Sequence, residues 1–189
     1  MSNGLEKKDL AVSAYTLINS KASSNMWLQG ISGVVGFPFT TIADVGVIAT
    51  HYVPMFNGIR RIYGRQSLTA EVIAPLVTNI SKELLLDIVF DKVLGNIPLI
   101  GIPLNAICAK AMTWRLGILF SMLSSRGEGI DNNTASDAVV VIRGIFPKSA
   151  FGFATPPLKD FEGIVNSVYE TSHREFSDKV SAAKAALMN

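Results

Sequence analysis

The sequence predicts an all-α fold, a compact bundle of about six to seven helices with two apolar helical hairpins at its core. Three observations carry that prediction. Apolar residues recur at steps of three and four along most of the chain, the period of a helix with one buried face. Glycine, proline and short polar residues fall between those runs, where helices start and stop. Two strongly apolar blocks, Met26 to Phe56 and Val93 to Leu123, hold few charges: Asp44 and His51 in the first, Lys110 and Arg115 in the second. Either block exceeds the roughly 20 apolar residues that cross a bilayer. Both are broken by Gly and Pro and charged near the middle, which fits packed helices better than simple spans.

The elements follow in order. Leu5 to about Lys21 is a first helix with Leu10, Ala14, Leu17 and Ile18 on one face, and Ser20–Asn25 is a polar break. Met26–Phe37 is apolar and glycine-studded, and Pro38 ends it or opens the next element. The glycines between Gly30 and Gly36 read as packing glycines. Thr40 or Thr41 caps a helix to Tyr63, interrupted or kinked near Pro54, with Gly64 as its stop and Arg60 and Arg61 in its last turn. Ser67 or Thr69 opens a helix to about Leu94, with Glu71 in its first turn, Val72, Leu76, Ile80, Leu84 and Ile88 in one row, and Pro75 as a kink or true start. A turn-rich lead with Pro98, Gly101 and Pro103 enters a helix from about Leu104 to Ser125. Arg126–Asn133 is the best domain boundary, dividing the chain into a helical domain (1–130) and a C-terminal helical extension packed on it (131–189). Thr134 or Ser136 caps a helix to about Ile145, although Val139–Ile142 alone would also suit a short strand. Phe146–Pro157 is an exposed or draped loop. One amphipathic helix, Leu158–Leu187, closes the chain, with Leu158, Phe161, Ile164, Val165, Val168, Phe176 and Val180 on its apolar side.

Composition narrows the function classes. Apolar residues make up 49% of the 189, but charged residues only 17%, below the usual ~25%. That balance points to a large core, a sticky partner surface or a membrane contact. A net charge of +2, with no basic tract interleaved with aromatics, sets nucleic-acid binding aside. The single cysteine, Cys108, excludes an intramolecular disulfide, reads as a small buried hydrophobe and fits a reducing, cytoplasmic setting. The polar first 20 residues do not begin a secretory signal.

Three constellations stand out. Gly101, Asn105, Ala109, Thr113, Gly117, Ser121 and Ser125 place small or short polar residues at every fourth position, a ridge that lets another helix approach closely. Asp44 faces a costly burial unless paired, so it is expected against Lys110 or Arg115 or at a helix end. A proton or ion path would follow only if the blocks truly crossed a bilayer. Arg60, Arg61 and Arg65 cluster directly after the first apolar block, suited to anionic headgroups or a partner, or to a solvated helix end. His51 and His173 lack metal-ligand spacing, and Glu170, His173, Glu175 and Asp178 read as an exposed polar face. Nucleophile-elbow, phosphate-loop and dinucleotide motifs are missing, so no catalytic residue, metal or cofactor is expected.

The stretch Phe37-Pro38-Phe39-Thr40-Thr41-Ile42-Ala43-Asp44 resembles the opening P-x-A-D motif of the YcjF-type domain-of-unknown-function family. Gly58-Ile59-Arg60-Arg61-Ile62-Tyr63-Gly64 is similar to its I-x-x-x-Y-G. Pro98 and Gly101, then Asn105-Ala106, then Thr113 and Gly117, are similar to its third motif. The EcsC family, sharing the Asp and Tyr-Gly elements, is the runner-up. The resemblance covers about residues 30–125 and implies a bacterial helical domain, often linked to a GTPase or set in inner-membrane proteins, without established activity. The chain lacks a GTPase domain and adds the C-terminal extension. The expected function is thus a non-enzymatic helical module, cytoplasmic or at the inner membrane. It would contact an anionic membrane surface, or a protein partner such as a GTPase or membrane complex. The alternative is a membrane-active pore-forming effector or the immunity partner of a toxin.

Overall fold

The computed structural model describes residues 2–31, 48–90, 104–127, 130–145, 155–169 and 171–188. Seven α-helices are found among them: α1 (Ser2–Ile31), α2 (Val53–Ile62), α3 (Ala70–Phe90), α4 (Leu104–Arg126), α5 (Asn132–Ile145), α6 (Leu158–Val168) and α7 (His173–Met188). A π-helical turn, Ile48–Tyr52, leads into α2. The all-α prediction holds, and no strand occurs among the described residues: Val139–Ile142 is helical.

Helix α4 is the centre. Every residue from Ala111 to Arg126 is buried, and α1, α2, α3, α5 and α6 all pack on it. A helix enclosed on all sides must satisfy its own polar groups. Three of its hydroxyls are satisfied by bonding back to its backbone: Thr113 Oγ1 donates to the Ala109 carbonyl (2.7 Å), Ser121 Oγ to Gly117 (2.8 Å) and Ser125 Oγ to Met122 (2.9 Å). Five helices can then close around α4 without stranding those hydroxyls.

Helix α1 makes the most extensive contact with α4, and it corrects the first expectation. No break occurs at Ser20–Asn25; the helix continues to Ile31. Ala11, Ala14, Ile18 and Ala22 are fully buried, and Ala22 lies inside the supposed break. Burial of that face overrides the weak helix preference of the serines and asparagine. Helix α2 follows the π turn because Pro54 has no N–H for the Thr50 carbonyl, and a widened turn avoids the clash. The proposed cap at Thr40 or Thr41 lies outside the described residues.

Helix α3 begins after Thr69, whose carbonyl accepts from Val72 and Ile73 (3.2 and 3.1 Å). Pro75 leaves the helix unbroken, because it sits on the exposed side where water can reach the carbonyl it frees. The buried row is Ile73, Leu76, Val77, Ile80 and Leu84; Val72, assigned to it from sequence, is 47% exposed. Strict steps of four drift around a helix, so mixed steps of three and four track the core better.

Two helix starts also differ from expectation. Asp131, not Thr134 or Ser136, caps α5: its Oδ1 accepts from the Thr134 N–H (2.7 Å) and hydroxyl (2.8 Å). The last amphipathic run is two helices. Tyr169 turns to extended backbone, and Ser172 and Glu175 form a capping box that starts α7. Glu175 Oε2 accepts from the Ser172 N–H (2.8 Å), and Ser172 Oγ accepts from the Glu175 N–H (3.3 Å).

Both caps depend on ionised carboxylates. The Thr134 N–H, then its hydroxyl, hold Asp131 below the usual carboxylate range; the Ser172 N–H, then its hydroxyl, do the same for Glu175. A carboxyl depressed in the folded state stabilises fully above its ordinary pKa and loses that effect as pH falls through the folded value. Urea midpoints are therefore expected to drop below about pH 5, and less steeply in an Asp131→Asn, Glu175→Gln double variant. Parallel midpoint-against-pH profiles for the two proteins would refute the coupling.

One hydrophobic core joins residues of all seven helices. Phe56 of α2 packs on Phe120 of α4 (centroids 4.1 Å), and Phe161 of α6 meets both Tyr15 of α1 (5.6 Å) and Trp114 of α4 (6.5 Å). Tyr15 also donates its hydroxyl to the Pro156 carbonyl (2.8 Å). The core thus runs without interruption across the boundary read at residue 130.

Candidate binding site at the arginine corner

The turn between α2 and α3 is built by a helix-stop motif. Gly64 has φ +67°, a left-handed conformation that favours glycine. Its N–H bonds the Arg61 carbonyl (3.0 Å), and the Arg65 N–H reaches back to the Arg60 carbonyl (2.8 Å). That pair of bonds is a Schellman motif, and it folds residue 65 back beside residue 60. Asn57 then clasps the far side: its Nδ2 donates to the Leu68 carbonyl and its Oδ1 accepts the Leu68 N–H, both at 2.9 Å. The loop is pinned at both ends.

Two of the three clustered arginines are fixed by backbone carbonyls. Arg60 Nε donates to the Gln66 carbonyl, and Arg65 Nε donates to Ser124 in the last turn of α4 (3.2 Å). Positive charge suits that helix end, where unpaired carbonyls collect. The Arg65 guanidinium lies against Gly127, where a Cβ would overlap it; Gly127 also has φ +82°. Burial first, then the charge of Arg65, lowers the pKa of Arg60, yet a guanidinium so shifted stays charged at physiological pH. Arg61 is exposed. Among the described residues, no carboxylate forms an ion pair with Arg60, Arg61 or Arg65.

Aromatic rings seat further cations on neighbouring helices. The Arg126 guanidinium sits 3.5 Å from the Phe176 ring centroid, and Lys7 Nζ lies 4.3 Å from that of Tyr169. Tyr63, the α2 cap residue, is 8% exposed, and its hydroxyl has no hydrogen-bond partner among the described residues. Burial, and secondarily Tyr169, raise its pKa and keep the phenol neutral.

The other residues singled out from sequence are distributed differently. Asp44 and Gly101 lie outside the described residues, and so does any pairing of Asp44; Arg115 is 5% exposed and Lys110 is half-buried, both on α4. Asn105 lies in the first turn of α4. Ala109, Thr113, Gly117 and Ser121 are buried, and Gly117 faces Ile18 of α1 so closely that a Cβ would lie 2.6–2.9 Å from three of its atoms. Gly58 of α2 faces Leu17 of α1, of which one tip atom would lie 2.7 Å from an added Cβ. His51, in the π turn, is held below its ordinary pKa by burial and then by Lys21.

Sequence reasoning missed three parts of the corner. Asn57 gives no local signal, because its partner Leu68 lies 11 residues further on, beyond the end of the helix. Phe176 reads only as core. Gly127 is recognisable as a helix stop, but not as the floor for Arg65.

Elsewhere, a groove of about 440 Å³ lies between α5, α6 and α7, lined by small side chains such as Gly163, Ala183 and Ala186, with Lys179 as its charged member. Among the described residues, no group of three His, Cys, Asp or Glu could hold a metal ion. Among them, too, no helix is long and apolar enough to cross a membrane. No family model, curated protein or solved structure matches this chain, so the likeness to the YcjF-type domain rests on its motif residues alone.

Proposed function

We propose that the protein is a non-enzymatic helical module that acts by contact, docking its arginine corner on an anionic membrane surface. One observation carries this reading: Arg60 and Arg61 in the last turn of α2 and Arg65 in the pinned loop after it have no carboxylate ion pair among the described residues. Basic residues near the surface attract anionic lipid by about 1 kcal/mol each. Val72, exposed on the first turn of α3 after the same loop, offers an apolar contact. Glu71 in that turn is engaged by the Thr69 hydroxyl, which lowers its pKa. The core rests on other residues, so the corner can bind without unpacking the bundle.

Vesicle sedimentation tests the reading. The protein should pellet with phosphatidylserine-rich vesicles and stay in solution with phosphatidylcholine, and binding should weaken as salt rises. Arg61→Glu reverses an exposed charge at no packing site and should weaken partition by about tenfold or more. Failure to pellet at low salt, or binding indifferent to both salt and Arg61→Glu, would overturn it.

A further inference from the structure

The two inner arginines are arranged differently from a diffuse basic patch. Each has its Nε fixed on a backbone carbonyl, Arg60 on Gln66 and Arg65 on Ser124. Among the described residues, the terminal Nη groups of both donate to nothing else. Both residues are half-buried, Arg60 in the last turn of α2 and Arg65 in the turn closed by the Schellman bonds and the Asn57 clasp. Much of the entropy that flexible side chains lose on binding is therefore already spent in the folded protein.

We propose that Arg60 and Arg65 form a two-pronged oxyanion clamp that takes a phosphate group, with Arg61 at its rim. Planar forks suit bidentate recognition of phosphate, and the fixed Nε sets the plane in which each terminal pair is presented. Residue 65 is folded back beside residue 60, close enough for the charge of Arg65 to act on Arg60, and two such cations call for a ligand with more oxygens and more charge than a carboxylate. A phosphate monoester, at roughly −1.5 to −2 near neutral pH, supplies both. Its source is either a lipid headgroup or a soluble phosphate. The clamp deepens the membrane reading above, which supplies the lipid source, but can stand without it.

The experiment uses the full chain and inorganic phosphate, followed by NMR of the arginine Nε–H signals. Saturable shifts at Arg60 and Arg65, with Arg174 on α7 unmoved, are expected. Arg60→Lys and Arg65→Lys keep the charge but remove the fork, and each should weaken phosphate binding by about tenfold. Vesicles carrying phosphatidic acid form the second arm. Pelleting weakened by the same lysine substitutions identifies the lipid source. Phosphate binding without pelleting identifies the soluble source, upholds the clamp and removes the membrane reading. If phosphate leaves both Nε–H signals unmoved and the lysine variants pellet like the parent, the clamp is wrong and general membrane attraction survives.

Discussion

Phe161→Ala is expected to cost about 3–5 kcal/mol, the usual range for emptying a fully buried aromatic site. Phe161 is 0% exposed and lies edge-on to both Tyr15 and Trp114, so its removal opens a void where α1, α4 and α6 meet. The three helices that lose contact come from both sides of residue 130. The loss should therefore appear as one cooperative urea transition at lower denaturant, with far-UV circular dichroism and tryptophan fluorescence coinciding. Two separated transitions, or a loss below about 1 kcal/mol, would mean that residues 131–189 detach from the rest. By the same reasoning a fragment ending at residue 130 should not fold cooperatively, because it removes α5 and α6 from the fully enclosed α4.

What can be read in the chain depends on how local the deciding interaction is. Gly64 announces itself as a helix stop because only the left-handed turn makes sense of glycine after an apolar run and two arginines. Thr69 and Glu71 mark the α3 start for equally local reasons. The Ser172–Glu175 capping box is also local, but a continuous amphipathic pattern across it hides the interruption, because the apolar residues of α6 and α7 keep helical spacing through the turn. The supposed break at Ser20–Asn25 fails in the opposite sense. Its residues prefer turns, and Ala22, buried between α1 and its neighbours, decides for helix. At the arginine corner the cluster itself is plain in the sequence. The carbonyls that fix its members are not, since Ser124 is 59 positions away from Arg65 and nothing in the intervening chain points to it.

Gly117 provides the second large effect. Alanine there adds a Cβ 2.6, 2.7 and 2.9 Å from Cγ2, Cγ1 and Cδ1 of Ile18, which is itself fully buried. A β-branched side chain in a helix has little rotamer freedom with which to yield. Overpacking costs about 1–3 kcal/mol, against roughly 1 kcal/mol that alanine gains over glycine in a helix, so Gly117→Ala should lose up to about 2 kcal/mol. Gly117→Val, with two further carbons in the same gap, should lose more than about 3 kcal/mol or fail to fold. Gly58 makes the control. Its added Cβ would meet only the tip of Leu17 at 2.7 Å, with the next atoms at 3.9 Å, and Leu17 is only half-buried. Gly58→Ala should therefore be neutral or stabilising by about 1 kcal/mol, because a flexible leucine tip can turn away. A double-mutant cycle assigns the cause. In an Ile18→Ala background the clash is gone, and Gly117→Ala should become neutral or stabilising in chemical denaturation. If Gly117→Ala costs the same with and without Ile18, the close approach of α1 to α4 does not depend on that glycine, and the small-residue ridge of α4 has another purpose.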